Sequence, residues 1–493
     1  METTHRPGGK PAAVLSWLRD RRFLRRPALI LSLIYLVAIS AILRANVYYL
    51  DDVWRAMGGY KGWDFFSRYL SVFLSGFVHA GNYLTDVSPL PQLLAVLLMG
   101  LASAILLHAL TGRRQFGVWD LIAVLPLGLC PYFLECFTYK YDAPYMALSV
   151  LASVAPLLFV GSGSLALVLS SFLGAMVMCT TYQAASGIFP MAVAALLFLR
   201  WNRGETGKEL LRFLLSAAGG YLAALLIFRV FLMRYVDDYV SVAISRNGLL
   251  QNTLAHYKDY YTAILLDFKR WWLLVIALLL LLFVVTAALR SRRGAAGSAL
   301  GAVLTLAVMT LLIFGVYPLL RAPLYAPRSM YGFGAYLAIL AVAAVDGKLH
   351  WPPRLTCLAL SWAFFVFAFT YGNALSVQDE YTKFRMSAVI TDLNDLEAFS
   401  SDQEKVLQLS GSIGLAPQLR NMPQDYRMLN DLVQVTFREG WQWGEYGFYN
   451  LYDIRNVHAD SDLDLRQASL PVLKDGMYHT ILGDGEHFLI VLK

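Results

Sequence analysis

Charged residues are scarce in this sequence: Asp, Glu, Lys and Arg make up 15% of its 493 residues, against about a quarter in a soluble globular chain. With 58% hydrophobic residues and a mean hydropathy of +0.52, that scarcity excludes water as the main solvent. Cysteine is rarer still. Cys130, Cys136, Cys179 and Cys357 lie in or at the ends of apolar segments without CxxC or CxxH spacing, so neither a disulfide framework nor a zinc site is expected. The histidines are scattered with no HxxxH or HxH pair, and no metal is assigned. A Gly-x-x-x-x-Gly-Lys loop and a dinucleotide fingerprint are both missing, which leaves nucleotide use without support. Internal repeats and low-complexity tracts are absent too, which weakens transporter folds built from inverted halves. The net charge of +7 does not point to nucleic acid, because the basic residues gather in short runs between apolar stretches. Membrane lipid is the expected partner.

Those apolar stretches predict a polytopic α-helical membrane protein. A spanning helix needs roughly 20 mostly apolar residues, and the qualifying stretches are 27–44, 90–110, 118–134, 143–160, 164–181, 187–200, 213–233, 271–289, 299–318, 330–346 and 355–372. About eleven spans result, with ten to thirteen compatible with the weak boundaries around Gly161 to Ser164. The basic run Arg19, Arg21, Arg22, Arg25 and Arg26 precedes the first stretch, which is read as an uncleaved span and not a cleaved secretory signal. Loops on the N-terminal side carry Arg113 and Arg114, then Arg200, Arg203, Lys208 and Arg212, then Arg290, Arg292 and Arg293, then Lys348 and Arg354. The positive-inside rule makes that side cytoplasmic. Loops on the other side mix acids, aromatics and single bases: Asp51 to Arg68, Glu135 to Asp142, Arg234 to Arg270 and Arg321 to Arg328. Within the first, Trp63 to Ala80 has the mixed character of a helix lying along a membrane surface.

Beyond about Leu375 polar residues come in quick succession. The expected organisation is therefore a cytoplasmic segment over 1–26, a membrane module over 27–375 and an external α+β domain over 376–493. A helix from Ser376 to Phe399, a strand at Lys405 to Leu409 and a closing hairpin around Gly483-Asp484-Gly485 are predicted for the last of these. The domain contains no cysteine, so it would occupy an oxidising compartment without disulfides.

Polar residues concentrate at the external ends of the spans. Asp51-Asp52-x-x-Arg55 follows the first span, with Gly59, Trp63 and Arg68 beyond it. Adjacent acids point in different directions on any regular backbone, so one can face a substrate while Arg55 holds the other. That division suits a general base; a solvated acidic turn capping a surface helix is the alternative. Glu135 and Tyr139-Lys140-Tyr141-Asp142 sit between two closely spaced spans, where lipid does not tolerate charge. They face either a cavity or an interfacial tyrosine belt. Arg321 and Arg328 flank a proline-stiffened loop and suit either a substrate phosphate or an anionic lipid headgroup. Asp86-x-Ser88-Pro89 reads as the turn into the second span, and Tyr182-Gln183 as a weaker polar pair at a helix end.

Taken in order, Tyr49-Leu50-Asp51-Asp52-x-x-Arg55 with Gly59 and Trp63, Asp86-Val87-Ser88-Pro89-Leu90, Glu135 with Tyr139-Lys140-Tyr141-Asp142 and Met146, and Tyr182-Gln183 resemble the bacterial serotype-converting O-antigen glucosyltransferases of the Gtr type II family. These belong to the GT-C class of polytopic membrane glycosyltransferases. The likeness runs through the first 190 residues or so and more loosely through Tyr371 to Gln378. It departs after Trp63, where the family's Asp-Gly-Arg-Pro-like stretch is replaced by Asp64-Phe65-Phe66-Ser67-Arg68. The resemblance implies an enzyme of the bacterial inner membrane with a periplasmic active site. It would take glucose or a similar hexose from an undecaprenyl-phosphate carrier and place it on O-antigen or another surface polysaccharide. A donor synthase and a lipid-linked-sugar flippase would be its partners, and no cofactor or metal would be needed. In such a scheme Asp51 or Asp52 is the catalytic base, acting with inversion at the anomeric carbon. Arg55, Lys140, Arg321 and Arg328 are the candidate cations for the phosphate. Glu135, Asp142 and Gln183 position the sugar, and Trp63, Arg68, Asp86, Tyr139 and Tyr182 complete the substrate-binding set. A flippase or transporter of lipid-linked sugars, an O-antigen polymerase or ligase, and an O-antigen acyltransferase are the rival readings. A transporter would place charge near the midplane of several spans, whereas here the ionisable groups crowd the external ends.

Overall fold

The computed structural model describes residues 21–235, 241–244, 248–398, 404–454, 457–458 and 463–493. Most of the expected 1–26 segment, including Arg19, lies outside these residues. So do Phe399 and parts of the Arg234 to Arg270 loop.

The chain is mostly helical. Its first stretch forms α1 (Arg25–Ala38) and α2 (Ser40–Ala45), broken at Ile39. There follow α3 (Asp52–Gly58), α4 (Tyr69–Val78), α5 (Leu90–Thr111), α6 (Val118–Val124), α7 (Pro126–Leu129), α8 (Pro131–Thr138) and α9 (Ala143–Val154). Next come α10 (Ser164–Thr181), α11 (Ile188–Asn202), α12 (Gly207–Ile227), α13 (Leu249–Asp267), α14 (Arg270–Arg290) and α15 (Ala295–Leu312). The bundle closes with α16 (Pro327–Met330), α17 (Gly332–Val345) and α18 (Trp351–Asp395).

Every apolar stretch expected to span is helical, but length and composition qualify seven helices among the described residues, or eight if one bent pair counts as a span. This is the architecture of a polytopic membrane protein, with a count that differs from eleven for identifiable reasons. Pro126 and Pro131 lack the backbone N–H that an unbroken helix needs, and the chain over Val118 to Thr138 bends by 61°. Pro156 sits where α9 tightens into a 3-10 turn, and α1 and α17 are each 14 residues long. The long Arg234 to Arg270 connection contains α13, a 19-residue helix that the sequence reading treated as loop.

Two ends of the bundle differ in chemistry. At one end the basic loops meet: Arg113 pairs with Asp120 at 2.5 Å and Asp346 at 3.2 Å, Arg290 also pairs with Asp346, and Arg200 pairs with Glu205 at 2.7 Å. At the other end lie α3, the 139–142 turn and α16. The alternation of loops read from charge therefore matches how the chain folds.

The last helix, α18, runs 45 residues. Its first half packs in the bundle, and its second half presents Met386, Val389 and Leu393 to a separate core, so the expected boundary at 375 falls inside one helix. That core is completed by a five-stranded sheet with β3 (Lys405–Ser410), β4 (Val457–His458), β5 (Val472–Asp475), β6 (His479–Gly483) and β7 (His487–Leu492) in the order β4-β3-β7-β6-β5. The bundle's own short pair is β1 (Ser241–Ile244) with β2 (Leu320–Ala322). The predicted hairpin is present, with Thr480 opposite Val491, and β3 runs parallel to β7. Alternate residues Leu407 and Leu409 point inward, as strand periodicity requires. Arg385 is 2% exposed and donates to the carbonyls of Tyr478 and Lys493 at 2.6 and 2.7 Å, fixing the sheet to α18.

Close helix packing depends on small residues, as expected where lipid removes the usual hydrophobic drive. A Cβ on Gly220 would stand 2.2 Å from the Val168 carbonyl, so α10 and α12 touch backbone to backbone there. Gly220→Leu is expected to separate them and cost about 2 to 3 kcal/mol. Thermal unfolding in detergent measures this, and an unchanged midpoint would show that the contact is not needed.

Candidate active site

The residues singled out from the sequence converge at the end of the bundle opposite the basic loops. Asp51 and Asp52 start α3, which ends at Gly59 in the left-handed conformation, φ 63°. Asp52 is fully buried. Its Oδ2 accepts the N–H of Tyr49 at 3.2 Å and of Lys140 at 2.9 Å, and its Oδ1 is buried without a hydrogen-bond partner among the described residues. Burial pushes its carboxyl up to about 8 against the pull of the Lys140 N–H. Asp51 occupies the N-cap position yet makes no capping bond. Its side chain is 41% exposed and stands 3.7 Å from Arg55. The capping alternative therefore fails for Asp51, and the two acids divide their roles: Asp52 is built into the frame, while Asp51 is open to a ligand.

Arg55 faces Asp142 at 2.6 Å, both side chains being about 5% exposed. The Trp63 indole N–H donates to the other oxygen of Asp142 at 2.6 Å, and the guanidinium lies 4.8 Å from the Trp63 ring centre. Burial raises the Asp142 carboxyl, with Arg55 acting in the opposite direction. The bend before α8 brings in Glu135, 1% exposed, which accepts both the backbone N–H and the guanidinium of Arg328, at 2.6 and 2.7 Å. Tyr139 sits edge-on to Tyr49 at 5.1 Å, with Arg328 6.0 Å from its ring.

Lys140 pairs with Asp86 at 3.0 Å and lies over Tyr48. Partial burial works to raise the Asp86 carboxyl, but the Ser88 hydroxyl and N–H and the Lys140 ammonium outweigh it and bring the group down to about 2. Asp86 thus serves the turn into α5 and anchors Lys140.

Arg68 stands apart from these pairs. A 3-10 turn over Trp63–Phe66 ends at Ser67 in the left-handed conformation, φ 61°. That turn points Arg68 across Tyr182, 4.4 Å from its ring centre, and Phe66, at 5.2 Å. Among the described residues no carboxylate lies within ion-pair distance of Arg68, and its Nε is buried without a hydrogen-bond partner. The Tyr182 hydroxyl is likewise buried and unpartnered. Gln183 donates to the carbonyls of Phe66 at 3.1 Å and Cys179 at 2.8 Å, so it fastens the turn that carries Arg68.

Arg68 and Gln183 border a cavity of about 240 Å³ whose remaining walls are largely apolar, with Phe66, Met178, Leu225, Phe228, Val316 and Leu324 among them. Those walls come from α10, α12 and the segments near β2, and no sequence pattern announced them. Arg321, the other arginine of the loop that carries Arg328, is exposed on β2. The sequence reading also missed a contact from the C-terminal region, where the Tyr49 hydroxyl donates to the Leu432 carbonyl at 3.1 Å. No group of three His, Cys, Asp or Glu side chains among the described residues is placed to hold a metal ion.

Asp52 gives a pH signature. Its folded value, about 8, lies above the ordinary 3.8, so between those values the folded chain binds one more proton than the unfolded chain. Stability falls as pH rises through that window. Against an Asp52→Asn variant, the wild type should lose ground from pH 5 to about 8 and then level off. Melting midpoints in detergent across pH 5 to 9.5 check this; a constant difference would mean that Asp52 titrates normally.

The family model described as glucosyl transferase GtrII matches residues 40–339, a span holding every acid and base of the site. A protein of Salmonella phage P22, titled an uncharacterized 55.3 kDa protein in the gtrB 5′ region, is 22% identical over 424 residues, covering 82% of this chain and 85% of its own length. No solved structure matches the chain.

Proposed function

This chain belongs to the glucosyl transferase GtrII family, and from that premise we propose that it moves a glucosyl or related hexosyl residue from undecaprenyl phosphate to O-antigen at the periplasmic face of the bacterial inner membrane. Glycosyl transfer in O-antigen modification follows from the family itself. The donor, the face and the mechanism are our reading. The observation that carries it is Arg68, a cation with no carboxylate in ion-pair distance among the described residues, at the edge of an apolar cavity and beside a cluster of buried acids.

A lipid-linked donor asks for three things: an apolar slot for the first part of the polyprenyl chain, a cation for the phosphate, and a carboxylate for the acceptor hydroxyl. The cavity, Arg68 and Asp51 supply them. Arg55, Lys140 and Arg328 were the expected phosphate ligands, but each already has a carboxylate, Asp142, Asp86 and Glu135 respectively. A cation so paired has less attraction to offer a further anion than one that is unmatched. Asp51 takes the proton of the acceptor hydroxyl. The hydroxyl oxygen then bonds to the anomeric carbon from the side opposite the phosphate. The bond from that carbon to the phosphate oxygen breaks, its electron pair leaves on the lipid phosphate, and configuration inverts. Arg68 stabilises the growing charge, so no general acid is required on that side. The unpartnered Tyr182 hydroxyl is available to the sugar or the phosphate. The basic loops at the far end support a cytoplasmic placement of that end and hence a periplasmic site.

Purified protein, synthetic polyprenyl-phosphate glucose and isolated lipopolysaccharide test this directly. Asp51→Asn is expected to lower kcat about 10² to 10⁴-fold. Asp52→Asn should keep most activity, because an amide carbonyl accepts the same two backbone N–H groups. Arg68→Ala should raise the donor KM about tenfold to a hundredfold. An active Asp51→Asn beside an inactive Asp52→Asn would move the base to Asp52, and no transfer by the wild type would defeat the reading.

A further inference from the structure

The C-terminal region carries a second concavity, distinct from the apolar cavity. It measures about 310 Å³ and is lined by Ser412, Leu415, Asn430, Val433, Gln434 and Arg438, with Val435 behind them. Val433 belongs to the core that contains Tyr49, and Leu415 packs against it. The Tyr49 hydroxyl donates to the Leu432 carbonyl at 3.1 Å, and the Gln434 side chain donates to the Asp431 carbonyl beside it. Helix α19 (Gln442–Leu451), which follows the pocket in the chain, packs against α3, the helix that begins just after Asp51.

The walls are held in place. Gln378 on α18 accepts the Ala416 N–H at 2.8 Å and donates to the Gly414 carbonyl at 3.2 Å. Glu439 accepts the Gly411 N–H at 3.0 Å. The rim is polar and open, since Ser412, Asn430 and Arg438 are all exposed. The Arg438 guanidinium lies 4.5 Å from the centre of the Trp441 ring and has no carboxylate within ion-pair distance among the described residues. The Trp441 indole nitrogen is buried without a hydrogen-bond partner.

A hydroxyl, two carboxamides and a guanidinium braced on an indole form a set suited to a neutral polyol. Carboxamides offer a donor and an acceptor side by side, and a guanidinium offers paired donors, each matching neighbouring sugar hydroxyls. Leu415, Val433 and Val435 give the same pocket an apolar side, against which the C–H face of a pyranose can rest. One cation is too few to select a polyanion, and the lining is too polar for a lipid tail.

We propose that this pocket binds the acceptor saccharide, holding a sugar adjacent to the one modified so that its neighbour's hydroxyl reaches Asp51. The proposal rests on the glycosyl-transfer reading above. The pocket selects the acceptor and takes no part in the chemistry.

The test uses the full-length protein and the double variant Asn430→Ala/Arg438→Ala, whose positions are exposed and outside the catalytic cluster. With lipopolysaccharide as acceptor, the variant's acceptor KM should rise about ten- to a hundredfold, while kcat, donor KM and the slow hydrolysis of donor without acceptor stay at wild-type values. An unchanged acceptor KM overturns the proposal. So does a fall in donor hydrolysis, which would mark the pair as part of the catalytic frame. Isothermal titration with a panel of delipidated bacterial O-polysaccharides separates this idea from the function it rests on. Saccharide binding by the wild type that the variant loses supports the pocket even if no transfer occurs. Equal binding by both proteins, or binding by neither, overturns it.

Discussion

Arg55 and Asp142 hold the site together. One belongs to α3 and the other to the turn between α8 and α9, and both are nearly excluded from solvent. Breaking such a pair strands a buried charge at a cost of about 3 to 5 kcal/mol. The neighbouring geometry depends on the pair. Trp63 is aligned by its bond to Asp142, the turn containing Asp142 presents the Lys140 N–H to Asp52, and Asp51 is left on the open side of Arg55.

The same rule of charge matching explains why Arg68 stands out. In a low-dielectric setting an unmatched cation is costly, and the chain pairs Arg55, Lys140 and Arg328 each with its own acid. Arg68 is held instead against two aromatic faces, which stabilise a cation more weakly than a carboxylate does. Its turn depends on Ser67 adopting a left-handed backbone, disfavoured for any residue with a Cβ, and on the two bonds made by Gln183. An arrangement that accepts both costs suits a group whose partner arrives with the substrate.

Much of this was legible from residue types. Apolar runs located the helices, and basic loops correctly sorted the two ends, because both signals are local and large. Prolines at 126, 131 and 156 were equally visible, yet their effect on span length was not, since a broken helix keeps the hydropathy of an intact one. Asp51, Arg55, Glu135, Lys140 and Asp142 were recognisable because charge between apolar spans has few structural uses. Which cation was already neutralised could not be read, because Glu135 meets Arg328 across 193 positions of chain. Arg321 and Arg328 looked equivalent on one proline-stiffened loop; a β-bridge turns the first outward, and Glu135 draws the second in. The apolar cavity left no trace in the sequence, as its walls are ordinary Leu, Phe, Met and Val from several elements. Nor did the docking of Leu432 on Tyr49, a contact between surfaces far apart in the chain.

The central claim is that the donor phosphate meets Arg68 with its lipid in the adjoining cavity. An electron cryomicroscopy structure of the protein with an undecaprenyl-phosphate hexose, or an analogue that cannot transfer, tests it most directly. The account predicts phosphate oxygens within hydrogen-bond distance of the Arg68 guanidinium, the first isoprene units against Phe228 and Leu324, and the anomeric carbon facing Asp51. A phosphate seated on Lys140, Arg328 or Arg321, with the cavity beside Arg68 empty of lipid, would contradict it.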